Sequence, residues 1–82
     1  MGEEFRIRNA KIIIWPRDHN PSHAHVIIQA DDIEFKVFFE DLRVEHVSAT
    51  QLSAKSERFF VNFIKDNLEY LKERWHEIQK DQ

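Results

Sequence analysis

The chain contains no cysteine, one glycine (Gly2) and two prolines in 82 residues. Without cysteine there are no disulfide staples, so an apolar core must hold the fold, and a reducing, cytoplasmic setting is expected. The lone glycine excludes a glycine-rich phosphate loop, and no nucleophilic serine or cysteine motif supports acyl-transfer chemistry. No apolar run approaches the roughly 20 residues that span a bilayer, and the start shows no charged and apolar leader pattern. Nor does charge of one sign dominate. The net formal charge is −3, so bulk attraction to nucleic acid or anionic lipid is not expected. Arg6, Arg8, Lys11 and Arg17 form a local basic group, but apolar residues interrupt it in the manner of a solvated strand edge rather than a phosphate track.

A chain of this length suits one domain over residues 1–82, burying roughly 60% of the surface its unfolded form exposes. A homodimer would be a natural way to bury more. Residues 1–10 read as a lead-in arm or edge strand, with Phe5 and Ile7 alternating with Arg6 and Arg8. Residues 11–47 read as a β-meander. Ile12-Ile13-Ile14-Trp15 is a β-branched run closed by Pro16, and His23–Ala30 and Ile33–Phe39 are strand-like segments joined by Asp31-Asp32. Treating the two aspartates as a two-residue hairpin loop places Ala30 opposite Ile33, Val26 opposite Val37 and, on the other face, His23 opposite Glu40. Arg43–Val47 is a candidate short strand or turn. Ser53 is a suitable N-cap for a helical region over 53–79. There Phe60, Phe63, Ile64, Leu68, Leu71, Trp75 and Ile78 recur at helical spacing, and Asn67 marks a bend or a junction between two helices. The expected architecture is α+β: an antiparallel meander of three to four strands packed on a long C-terminal helix, bent or split near Asn67.

What is abundant is histidine, and it is concentrated. Asp18-His19-Asn20-Pro21-Ser22-His23-Ala24-His25 holds three of the five histidines between two apolar segments. Residues two apart on a strand share a face, so His23 and His25 are a parallel pair of imidazoles able to hold one divalent ion such as zinc. Asp18, His19 or, across the hairpin, Glu40 would supply a further ligand. The same imidazoles near a carboxylate could instead carry general acid–base hydrolysis of a phosphodiester, with His23, His25 and His19 as the candidate catalytic groups. Against both stands a structural reading. Asp18 and Asn20 cap a turn fixed by Pro21, and the histidines merely brace the loop on the sheet. Trp15, Arg17, Asn20 and Phe38 are the candidate binding surface around the cluster, although Trp15 and Phe38 suit a core equally well. His46 reads as a surface residue, and His76 as a favourable partner of a helix C-terminus.

The cluster followed by Val26 resembles the signature of a family of small bacterial proteins, DUF4160, which runs approximately Asp-His-Asn-Pro-Pro-His-Phe-His-Val. The resemblance continues through Glu34–Phe39 and into the helix, where Ile64, Asn67, Leu71 and Trp75 match its spacing. Asp18, His19, Asn20, Pro21, His23 and His25 match position by position. Ser22 replaces the second proline, and Ala24 stands where an aromatic or valine is common. The resemblance carries no reaction. It implies a protein partner encoded nearby, as in a toxin–antitoxin pair, for which the Asp18–His25 loop would be the functional surface.

Overall fold

In the computed structural model, residues 3–80 are described. Five strands follow one another, β1 (Glu3–Ile7), β2 (Ala10–Ile13), β3 (His23–Ile28), β4 (Ile33–Phe38) and β5 (Val44–His46). They form one antiparallel sheet in sequential order. Two helices close the chain, α1 (Ala54–Asp66) and α2 (Leu68–Lys80). The fold is α+β, with one strand more than the upper expectation because the lead-in pairs as β1, with a register shift between Glu3 and Phe5, and Val44–His46 adds β5.

One face of the sheet is apolar. Ile12, Val26 and Phe35 lie in one cross-strand row, Ala24 and Val37 in the next, all buried. Against them pack Phe60 and Ile64 of α1 and Leu71 and Trp75 of α2. Each fully buried side chain of this size stabilises the fold by about 1.5–3 kcal/mol. The stripe expected at helical spacing is therefore the core face. Asn67 is the junction it foreshadowed: its side-chain amide donates to Phe63 O at 2.8 Å, and its carbonyl accepts from Leu71 N at 3.0 Å. One residue thus closes α1 and opens α2. Ser53 caps α1 through its hydroxyl, which accepts from Ser56 N at 3.3 Å.

Turns that favour glycine are made without it. Arg8, Arg17, Asp32 and Leu42 all hold φ between 55° and 67°. A non-glycine residue there costs on the order of 1–2 kcal/mol, so local contacts must offset it. Arg8 does so by laying its guanidinium over the Phe59 ring, 3.6 Å from the centroid. Asp32 is the corresponding residue in the β3–β4 hairpin, and there the expected register is corrected. Gln29–Asp31 form a 3₁₀ turn that Asp32 closes by donating its N–H to Gln29 O at 3.2 Å. The connection is longer than two residues, Ile28 pairs with Ile33, and His23 pairs with Phe38. The slip is two residues, an even number, so every side chain keeps its face and both registers match apolar with apolar. Glu40 consequently falls beyond the end of β4, exposed and not opposite His23.

The second helix ties the ends together. Arg74 binds Glu4 of β1, Nε to Oε1 at 2.7 Å. Further along α2, the Gln79 side chain donates to Trp15 O at 2.9 Å and accepts from Arg17 N at 3.0 Å. The second pair holds the end of α2 beside the segment that leads from β2 to β3.

Candidate functional site

The other face of the sheet carries Ile13, His25, Lys36 and Glu45 in one cross-strand row. His23 and Phe38 form the next pair along β3 and β4. The helices pack on the opposite face, yet His23 and His25 are only 4% and 6% exposed. Rings from three places enclose them. Trp15 stands edge-on to His25 with centroids 6.3 Å apart, and Phe38 and Trp75 lie 5.2 and 5.3 Å from His23. The two imidazoles are themselves 5.2 Å apart.

Their polar atoms are arranged as follows. His23 Nδ1 lies 2.8 Å from Pro21 O, which can only accept, so this nitrogen carries the proton. His25 Nδ1 lies 2.9 Å from a carboxylate oxygen of Glu34 and donates in the same way. Both Nε2 atoms then turn toward Asp18 Oδ2, at 3.3 Å from His23 and 3.1 Å from His25. The contact from His25 has hydrogen-bonding geometry. That from His23 does not, and its Nε2 is buried without a hydrogen-bond partner. The ligand atoms of Asp18, His23 and His25 all lie within 4.8 Å of one another. The Asp18 side chain is 25% exposed and forms the outer wall of the cluster.

Of the residues the spacing suggested, three converge: Asp18, His23 and His25. Among the described residues, His19 and Glu40 do not join them, and both are exposed. Glu34 is the member that sequence reasoning missed. It sits diagonally across the β3–β4 ladder from His25, a position legible only in the register that the four-residue connection sets. The proposed surface divides. Trp15 is 43% exposed, and Arg17 and Asn20 are exposed beside it. Phe38 is buried, because it backs His23 while Arg43 covers its other side at 4.3 Å. Trp15 and Phe38 thus do flank the cluster, but Phe38 offers no surface. His46 faces the helices from β5, with Nε2 3.3 Å from Glu57 of α1 and its ring near Phe35. His76 is exposed on α2. The basic group forms no single track: Arg6 and Lys11 are neighbours on the ladder, with Arg6 paired to Glu3 at 3.1 Å, whereas Arg8 is on Phe59. The hydrogen bond from Arg6 holds the Glu3 carboxyl below its ordinary range.

A sequential five-stranded meander backed by two helices, with a histidine–carboxylate centre at one end, defines a small α+β protein of a distinctive kind. The chain belongs to the family described as domain of unknown function (DUF4160), whose profile matches residues 10–76. No curated protein and no solved structure matches it.

Proposed function

We propose that the protein is the binding component of a two-protein pair, regulatory or toxin–antitoxin-like, and that it presents the Trp15–Ser22 loop to its partner. The observation that carries this reading is a loop exposed in its side chains but fastened in its backbone. Trp15, Arg17, His19 and Asn20 face outward, while Gln79 holds the loop at Trp15 and Arg17, and the His23 ring holds it at Pro21. Tryptophan and arginine are the residues most enriched at interface hot spots, and a loop already ordered loses little entropy on binding. Hydrolysis of a phosphodiester by the histidines is the weaker alternative. A general acid or base must approach its substrate to hydrogen-bonding distance, and these two rings are sealed among Trp15, Phe38 and Trp75.

Co-expression with the products of the flanking genes, followed by size-exclusion chromatography, tests the proposal. A stable complex is expected, weakened at least about 30-fold by Trp15→Ala, the loss typical of a hot-spot residue. Absence of a complex with either product, or a complex indifferent to Trp15→Ala and Arg17→Glu, would overturn it. Nuclease activity abolished by His23→Ala would put the hydrolytic reading in its place.

A further inference from the structure

We propose that Asp18 Oδ2, His23 Nε2 and His25 Nε2 form a binding site for one zinc-class divalent cation, oriented by the Pro21 carbonyl and the Glu34 carboxylate. Each ring commits its Nδ1–H to an oxygen that only accepts, Pro21 O at 2.8 Å and Glu34 Oε2 at 2.9 Å. In the neutral rings both Nε2 atoms are therefore bare lone pairs, and they face a third acceptor, Asp18 Oδ2. Three lone pairs converging on one buried point repel unless something positive stands between them.

A proton on His25 satisfies one contact and leaves His23 Nε2 buried without a partner. Protons on both rings place two positive charges at a centroid separation of 5.2 Å in surroundings of aromatic rings. One dication satisfies all three donors together. Zinc bonds of about 2.0–2.1 Å set the edge of a tetrahedron at about 3.3 Å. Two of the three edges match, the Asp18–His23 and Asp18–His25 separations being 3.3 and 3.1 Å; all three ligand atoms lie within 4.8 Å, so the imidazoles draw together as the ion enters.

The surroundings have the form that zinc sites take. A ligating histidine characteristically donates its other N–H to a backbone carbonyl or a carboxylate, and here one ring does each. Two imidazoles and one carboxylate select zinc or its neighbours over magnesium or calcium, which prefer oxygen alone. Asp18 also borders a cleft of about 340 Å³ shared with Asn20, Trp75 and Gln79, which gives the ion an approach from solvent. The site does not rest on the partner reading, because its three ligand atoms meet on the side of the loop that faces the sheet.

The test uses the full chain stripped with a chelator and titrated calorimetrically with zinc chloride and, separately, magnesium chloride. One zinc per chain is expected, with no response to magnesium. The thermal midpoint should rise by about 10 °C or more at zinc a hundredfold above Kd. Asp18→Ala and His23→Gln should each weaken binding at least 100-fold, while His19→Ala leaves it unchanged. Should those variants fail to fold, cobalt titration of the unaltered chain still decides, because tetrahedral coordination gives intense visible bands and loose surface binding does not. Absence of zinc binding, or affinity retained in folded Asp18→Ala, or a cobalt spectrum of the hydrated ion, would overturn the site.

Discussion

Arg74→Ala is the substitution whose effect the structure determines most directly. Glu4 has a side chain only 3% exposed, and Arg74 reaches it from α2 with Nε on Oε1 at 2.7 Å and Nη2 on Oε2 at 3.5 Å. The Tyr70 hydroxyl is 3.3 Å from the same Oε1. Removing the guanidinium leaves a buried carboxylate with one hydroxyl donor. Breaking a fully buried pair costs about 3–5 kcal/mol. Arg74 is itself 32% exposed, so water can enter in its place and the expected loss falls to about 2 kcal/mol. For a domain of this size that lowers the midpoint by about 8–16 °C. Urea unfolding followed by circular dichroism measures it, with Glu4→Gln/Arg74→Ala expected to recover part of the loss, since the amide is neutral. The pH dependence is also fixed. Hydrogen bonds to Glu4, then to Glu77, raise the Arg74 pKa above the ordinary arginine value. A group raised in the folded state contributes in full below its unfolded pKa, so the difference between the two proteins should stay flat from about pH 7 to about pH 10. A loss under about 0.5 kcal/mol, as an ordinary surface pair gives, would refute the reasoning.

Three further outcomes are expected. Gln79→Ala removes the two bonds that hold the loop at Trp15 and Arg17, and should destabilise by about 1–2 kcal/mol in urea unfolding while speeding amide exchange of Arg17 selectively. Asp32→Gly relieves a residue held at φ 56° and should leave the protein unchanged or stabilise it by up to about 1 kcal/mol in thermal unfolding; a large loss would show that the aspartate side chain matters there. Glu34→Gln keeps the shape beside His25 but weakens the acceptor, and should lower zinc affinity about 10–100-fold in a chelator competition with the metal-free midpoint little changed.

The elements were legible because their periods are strong. The stripe from Phe60 to Ile78 could only be an amphipathic helical face, and Asn67, a poor residue for a helix interior, marked the point where α1 gives way to α2. The β3–β4 register was not legible, for a physical reason. Ala24, Val26 and Ile28 meet Val37, Phe35 and Ile33 in the observed pairing, and meet equally apolar residues two positions further along in the other. Side-chain alternation decides which face a residue takes but is blind to a slip of two. Only the turn decides. Its left-handed residue is Asp32 where a glycine would have announced it, so the local signal was weak.

That slip explains why the centre was only half legible. Asp18, His23 and His25 depend on strand alternation and a short preceding loop, both of which survive the slip, and they converge. Glu34 and Glu40 depend on register, and they exchange roles: Glu34 reaches His25 and Glu40 lies exposed past the strand. Nor does sequence alone show how histidines on the face away from the main core become buried. Trp15 and Asp18 cover them because the loop turns back over β3, and α2 holds that loop through Gln79 while placing Trp75 against His23. Loop, imidazoles and the last turns of α2 therefore form one packed unit. Asp18, which faces the imidazoles, and Trp15, which faces outward, sit three residues apart on that one loop. Were a metal at the centre and a partner on the loop to couple through this unit, the coupling would be reciprocal, each changing the other's affinity by the same factor.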